Sequence, residues 1–220
     1  MSSSVDVILP CLDEARALPS LLAELPSGYR AIVVDNGSTD GSPEIAARFG
    51  ATVVTAAQRG YGSAVHAGLM AATAPIVAFC DADGSFDMRQ LDRVVDPVRR
   101  GEQDLVLGRR VSVAASAWPL HARFANAVLL WFVRRRMHVD LRDLGPMRAA
   151  NRERLLQLGI RDRRSGYPLE LVLRARRAGW RIHEVPVDYR PRVGRSKVTG
   201  TVVGTAQAIG DMLRMLRRYA

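Results

Sequence analysis

Cysteine occurs only twice in 220 residues, at Cys11 and Cys80. Two thiols cannot build a disulfide framework, nor fill a four-ligand zinc site by themselves. Each closes an apolar run, which points to small core residues in a reducing compartment. Lysine is scarcer still: Lys197 is the sole example, so arginine carries nearly all the positive charge. Aromatic residues make up 6% of the chain. With no stacking platform and no DNA-reading motif, that scarcity argues against nucleic acid as the partner. Long hydrophobic runs are missing as well. The longest, Phe124 to Val133, is broken by Asn126 and falls short of the roughly 20 residues that span a bilayer. The opening MSSSVDVILP has neither the basic nor the apolar region of a signal peptide. The expectation is a cytoplasmic protein, soluble or peripheral on the inner face of the membrane.

What is present is ordinary in bulk and uneven in charge. Hydrophobic residues are 48% and charged residues 25%, a composition that suits one globular domain with a substantial core. Residues 1–98 carry 6 Lys+Arg against 12 Asp+Glu, a balance of −6, whereas residues 99–220 carry 26 against 10, a balance of +16. The first half can hold a cation; the second suits phosphates or an acidic lipid surface.

Short β-rich runs alternate with helical patterns along the front half: VDVILP, AIVVD, ATVVTA, PIVAFCD and DLVLGR. Continuous apolar runs of this length suit parallel strands buried on both faces. Ser42 before Pro43 predicts an N-cap, and Asp87 with Gln90 predicts a capping box ahead of LDRVVDPV. Alternation of this kind predicts a doubly wound α/β sheet, in which ligands bind beyond the carboxyl ends of the strands. Farther on, helices are expected from about Trp118 to Arg136, from near Asn151, and from Gly166 to Ala178. A strand in RIHEVPVDYRP then leads to the basic loop RPRVGRSK. From about Gly200 an amphipathic helix is expected, with Val202, Ala206, Ile209, Leu213 and Leu216 on one stripe and Arg214, Arg217 and Arg218 near its end. The division is then residues 1–199 as one domain and 200–220 as the tail helix.

The chemistry-bearing residues gather at the strand ends. PCLDE follows the first strand, and VDNGSTDGS follows the second. A carboxylate such as Asp35 can accept hydrogen bonds from a ribose or a base, although Asn-Gly and Asp-Gly are also common turn dipeptides. RGYGSAVHAG follows the third strand but places Val65 where a dinucleotide fingerprint needs a third small residue. Its helix start can still admit a phosphate or a backbone closely. DADGS follows the fourth strand, with Asp81 and Asp83 flanking Ala82. Two carboxylates so close repel unless a cation lies between them. Mg²⁺ or Mn²⁺ bound by one or two carboxylates together with a substrate diphosphate meets that need.

Taken in order, LPCLDE, VDNGSTDG, GYGSA, DADGS, LVLGRR, RFAN, DLRDLGPMR and SGYPLELVLRARRAGWRIHEVPVDYRPRVGRSK resemble the family 2 glycosyltransferases of GT-A fold. Within them the chain is similar to the branch of dolichol-phosphate mannose and polyprenyl-phosphate glucose synthases. The resemblance implies a Rossmann-like, mostly parallel sheet flanked by helices. By position it puts Pro10, Leu12, Glu14, Asp35 and Gly37 at the nucleotide, with Gly60, Ala64, Asp81 and Ala82 bordering the same pocket. It implies Asp83 as main metal ligand, aided by Asp81 and by Ser85, which stands where some relatives have Gln. Arg110 and Arg123 correspond to acceptor-phosphate binders, and Arg195 and Lys197 to the loop that closes on the donor diphosphate. The chain departs from the family pattern at Asp13, usually Asn, and at Asn36, usually a second Asp.

The activity so implied is metal-dependent, inverting transfer of a sugar from a UDP- or GDP-linked donor to a polyprenyl phosphate at an anionic membrane surface. A hydroxyl acceptor would require a general base. Glu170 is the candidate by position, with an ion pair to arginine as its alternative role. A soluble hydroxyl acceptor, a nucleotidyltransferase and a non-catalytic basic binding protein of the same fold are the competing readings. The donor's base and the oligomeric state are left open.

Overall fold

A computed structural model describes residues 5–114, 120–137 and 141–194, together with Gly210 and Met215. The elements run β1 (Val5–Cys11), α1 (Leu18–Ala23), β2 (Tyr29–Asp35), α2 (Ser42–Arg48), β3 (Thr52–Thr55), α3 (Tyr61–Ala71) and β4 (Ile76–Phe79). They continue as α4 (Leu91–Arg99), β5 (Leu105–Ser112), α5 (Leu120–Met137), β6 (Arg148–Asn151), α6 (Arg152–Gln157), α7 (Tyr167–Arg177) and β7 (Ile182–Tyr189).

The seven strands form one sheet in the order β3-β2-β1-β4-β6-β5-β7. β6 pairs antiparallel with both β4 and β5, while the β1–β2, β1–β4, β2–β3 and β5–β7 pairs are parallel. The mostly parallel α/β architecture expected from the sequence is therefore present. β6 was not anticipated. It places Arg148 opposite Phe79, at the edge where β4 ends.

Alternation along the strands divides the core into two layers. Ile8, Ile32, Val34, Val77, Phe79, Leu105 and Leu107 pack with residues of α3 and α7 on one face. Val7, Leu9, Val33, Ala78 and Val106 pack with α1, α2 and α4 on the other. Burying both faces explains why the strands read as unbroken apolar runs; each large side chain so buried contributes about 1.5–3 kcal/mol. Gly68 lets α3 lie close to the sheet, because a Cβ there would fall 2.4 Å from Ile8 and 2.9 Å from Val34. Cys11 and Cys80 are free and buried, and burial pushes both thiols up from their ordinary pKa.

Two predicted helix starts differ in detail. The N-cap of α2 is Gly41, at φ +83°, and Ser42 is already helical. Its hydroxyl serves a neighbouring loop instead. Asp87 does cap, accepting from the Arg89 amide at 3.0 Å. Gln90 does not complete a box, because its side chain bonds Asp188 on β7 through both amide atoms, at 2.8 and 3.0 Å. A sheet edge with unmet backbone partners draws it away. The tail helix lies outside the described residues except for Gly210 and Met215, which are both helical, with Met215 buried against the core.

Away from the strand-end loops, Asp104 joins the start of β5 to Arg181 and Arg154. It accepts from the Arg181 amide at 2.8 Å and pairs with both guanidinium groups. Hydrogen bonding to Arg181 holds its carboxyl at about 2, below the usual 3.8. Since the folded value is depressed, this contribution is complete above the unfolded pKa and is lost as pH falls from about 4 through about 2. Asp104→Asn should lower stability at pH 7 by about 2 kcal/mol, a midpoint shift of roughly 4–8 °C. The difference from wild type should close as the melts are repeated towards pH 2.

Candidate active site

Three loops at the carboxyl edge of the sheet are stitched together by polar side chains. Asp13, at φ +53°, donates its amide to Ser38 Oγ at 3.0 Å and accepts from the Thr39 amide at 2.7 Å. The Glu14 amide donates to Ser42 Oγ at 2.9 Å, and the Ala15 amide to Asp40 at 2.9 Å. The carboxylate of Asp35 folds back onto its own loop, accepting from Ser38 N at 2.9 Å and Gly37 N at 3.3 Å. This is turn chemistry, and it also fixes the loop that follows β2. Pro10, Leu12 and Glu14, at the end of β1 and just beyond it, are half-buried. Asn36, the departure from the family's Asp, accepts from the Gly60 amide at 3.2 Å and so ties in the third loop.

That third loop answers the question of what approaches the start of α3. The Gly62 amide donates to the Arg164 carbonyl at 3.0 Å, and the Ser63 amide to the Arg163 carbonyl at 2.8 Å. A Cβ at Gly60 would lie 2.4 Å from the Arg163 carbonyl, and one at Gly62 would lie 2.7 Å from that of Asp162. The glycines admit backbone, and those two amides are already used. Gly60 and Ala64, expected to border the nucleotide pocket, thus face or underlie the 160–164 segment; Ala64 is buried in the core.

Beyond β4 the chain turns through Asp81, Ala82, Asp83 and Gly84, the last at φ +73°. Ala82 is buried and apolar. Asp83 is 4% exposed. One of its oxygens accepts from the Ser85 amide at 2.9 Å, and the other lies 2.5 Å from Arg192 Nη2. Asp81 is half-buried, and burial, followed by the charge of Asp83, pushes its carboxyl up to about 7. Arg192, Arg110 and Arg148 act in the opposite direction. Burial is the larger cause, since Arg192 already pairs with Asp83. Ser85 Oγ is buried without a partner beside them.

These groups suit a hard divalent cation. Two carboxylates and an orphaned hydroxyl offer only oxygen, the donor set of Mg²⁺ or Mn²⁺. No cluster of three His, Cys, Asp or Glu able to hold a metal occurs among the described residues.

On the β5 side, a cavity of about 450 Å³ is lined by Arg109, Arg110, Arg123, Val111, Ser112, Val113 and Ala114. The two residues expected at an acceptor phosphate, Arg110 and Arg123, both line this cavity. Arg110 is held rigidly: Asp143 receives its Nε at 2.9 Å, its Nη2 at 2.7 Å and its amide at 2.9 Å, and its guanidinium lies 5.4 Å from the Tyr189 ring centre. Arg123 is exposed.

Glu170 matches its alternative role. Buried at 2% exposure, it pairs with Arg174 Nε at 2.6 Å and accepts from the amides of Arg161 and Asp162 at 3.0 and 2.7 Å. A carboxylate so engaged anchors a loop and is poorly placed to take a proton. Arg195 and Lys197 lie outside the described residues. Sequence reasoning left Asp143 and Arg148 without roles and took Arg192 only as one of several basic residues in the loop RPRVGRSK. Arg148 is 3% exposed and donates to the Gly145 carbonyl at 2.6 Å, with burial lowering its pKa. An arginine at the start of so short a strand gave no sign that it points inward.

The family model described as Glycosyl transferase family 2 matches residues 6–149. The chain belongs to that family. An uncharacterized glycosyltransferase of Mycobacterium tuberculosis is 52% identical over 214 residues, covering 97% of this chain and 98% of that one. A dolichyl-phosphate hexose transferase of Haloferax volcanii is 32% identical over 204 residues, covering 91% and 89%. Among solved structures, Mycobacterium tuberculosis glucosyl-3-phosphoglycerate synthase in complex with phosphoglyceric acid superposes with a TM-score of 0.76 at 24% identity, covering 97% of this chain and 80% of that one. Its complex with Mn²⁺, UDP and glucosyl-3-phosphoglycerate gives 0.75 at 25% identity, with the same coverage. The fold is therefore the GT-A type, and this family 2 member is a glycosyltransferase. The nucleotidyltransferase and non-catalytic readings fall away.

In this glycosyltransferase, Gly60→Ala should lower stability whether or not a nucleotide is present. Its φ of +146° and the carbonyl at 2.4 Å both oppose a side chain. A loss of about 2 kcal/mol is expected, or roughly 4–8 °C in the melting midpoint. A variant melting like wild type would mean that the 160–164 segment does not pack there in solution.

Proposed function

We propose that the enzyme transfers a hexosyl group from a UDP- or GDP-linked sugar to a polyprenyl phosphate, with inversion at the anomeric carbon. The observation that carries this reading is the arginine cavity, one of whose lining residues, Arg110, acts electrostatically on Asp81. Arg110 is close enough to lower the pKa of Asp81, so an acceptor phosphate on Arg109, Arg110 and Arg123 would lie near a donor held at the carboxylate pair. Pro10, Leu12, Glu14, Asp35 and Gly37 would receive the nucleoside. Asp81 and Asp83, with Ser85, would hold Mg²⁺ or Mn²⁺, which when bound neutralises charge growing on the leaving diphosphate.

The chain's own residues do the rest. Asp143 takes up the Nε and Nη2 edge of Arg110 and so fixes where its positive charge would meet an acceptor phosphate. Arg195 and Lys197 are proposed to add positive charge at the diphosphate. The acceptor oxygen attacks the anomeric carbon, the bond from that carbon to the diphosphate oxygen breaks, and the electron pair leaves with the nucleoside diphosphate. A phosphate acceptor is already anionic near pH 7, its second pKa being about 6, so no proton need be removed. The engagement of Glu170 favours such an acceptor over a hydroxyl.

The cavity's surroundings support a lipid-borne phosphate. Val111 and Val113 on its rim are exposed. On α5, Arg123, Ala127, Val128, Trp131, Arg134 and Arg135 are all exposed and fall within an arc of roughly 140° at 3.6 residues per turn. Arg135 stacks on Trp131, 5.8 Å from the ring centre. An aromatic and aliphatic strip flanked by arginines is the pattern of a helix lying on an anionic bilayer. No helix among the described residues is long and apolar enough to cross one. A soluble phosphate-bearing acceptor would use the same arginines but would leave Trp131 and the valines unexplained.

Thermal unfolding with UDP, GDP and ADP, each with and without Mn²⁺, tests the donor site. UDP or GDP at 100 times its dissociation constant should stabilise by about 2.7 kcal/mol, roughly 5–10 °C, only when Mn²⁺ is present. Asp83→Ala should abolish that shift and the transfer of label to a short polyprenyl phosphate. Transfer to phosphoglycerate but not to the polyprenyl phosphate would overturn the acceptor assignment. Separately, Trp131→Glu should reduce retention on phosphatidylglycerol vesicles several-fold at unchanged nucleotide affinity. Equal retention of both proteins would reject α5 as the contact.

A further inference from the structure

Asp83 already has a cation. Arg192 Nη2 lies 2.5 Å from it, and the two side chains are 29% and 5% exposed respectively. The contact is built into the backbone. The Val193 amide donates to the Asp83 carbonyl and the Arg190 amide to the Ser85 carbonyl, both at 2.9 Å. Phe86 and Tyr189 form an antiparallel bridge, their rings 5.2 Å apart, and Arg190 pairs with Asp87 at 2.7 Å. Residues 189–193 thus run as a strap along residues 83–87, delivering Arg192 to the carboxylate pair. Its charge also acts on Asp81.

Resting on the reading that Asp81 and Asp83 bind a divalent cation, we infer that Arg192 is a positioning residue that competes with that cation for Asp83 and makes metal binding depend on the donor. A divalent ion at Asp83 meets a guanidinium within contact distance, and like charges at that range repel strongly in a low-dielectric site. The ion gains the carboxylate only if Arg192 leaves it. A guanidinium leaving a buried partner needs another anion, and the diphosphate of the donor is the one the reaction brings. Cation and nucleotide therefore bind as a coupled pair, each strengthening the other by the same factor. The strap leads directly into Gly194, Arg195, Ser196 and Lys197, so the same segment carries the competing charge and the basic residues expected at the diphosphate.

The test is Mn²⁺ titration at pH 8, read by the electron spin resonance of free Mn²⁺, on wild type, Arg192→Gln and Arg192→Lys, with and without saturating UDP or GDP. Arg192→Gln should bind Mn²⁺ alone about tenfold more tightly, within the usual 5–150-fold span of coupling. It should also show a smaller gain on adding nucleotide. Arg192→Lys, which keeps the charge, should stay near wild type in the nucleotide-free titration. Melting curves of each variant establish that it is folded. Nucleotide-dependent Mn²⁺ binding in wild type, with an Arg192→Gln affinity for Mn²⁺ alone that is unchanged or weaker, would overturn the inference while leaving the donor site standing. Absence of Mn²⁺ binding to wild type with every nucleotide would overturn both.

Discussion

Two carboxylates at the end of a strand buried on both faces are an electrostatic problem that the surrounding structure must answer. In water Asp81 and Asp83 would be unremarkable neighbours. Above β4, burial and mutual repulsion push the Asp81 carboxyl up to about 7. Three arginines reach the spot from separate elements: Arg110 from β5, Arg148 from β6 and Arg192 from the segment after β7. Much of the topology serves to bring them there. The antiparallel insertion of β6 turns the start of a strand towards the edge where its neighbour ends, which is how Arg148 arrives.

The uneven charge of the sequence takes spatial form in this arrangement. The acidic half supplies β1 to β4 and their loops, joined by Asp, Ser and Asn side chains that accept from backbone amides of neighbouring loops. Its hydrogen bonds are short-range and directional, and they hold the loops in fixed relative positions. The basic half supplies β5, α5 and the strap, where forked and stacked guanidinium groups surround an open cavity. The acidic and basic stretches of chain thus meet where β4 lies beside β6.

The strands with continuous apolar runs were legible because burial on both faces leaves little choice of residue. β6 was not: Arg148, Ala149, Ala150 and Asn151 form only four residues, begin with a charge, and include two alanines that favour helix. Its identity depends on neighbours far away in sequence. Among the loops, the carboxylate pair was readable from residue type and position. The partners of individual polar side chains were less so. Gln90 bonds the far edge of the sheet instead of its own helix start, and Glu170 serves a backbone segment on one side and Arg174 on the other. Arg192 is one arginine among four basic residues in a short loop. Nothing local distinguishes the one that turns inward, since the strap is defined by amides pairing with residues a hundred positions earlier.

β5 and β6 also have a topological consequence. They are hydrogen-bonded neighbours, with Leu107 opposite Arg148 and the Gly108 amide donating to the Met147 carbonyl at 2.8 Å. The excursion between them, which includes α5 and one wall of the arginine cavity, begins and ends about one strand spacing apart, near 4.8 Å. Its closure is therefore secured by the sheet and not by its own length, and doubling that length costs only about 0.6 kcal/mol. The excursion behaves as an interchangeable cassette clipped to a fixed frame. Its length and composition can therefore change while β1 to β4 keep their register.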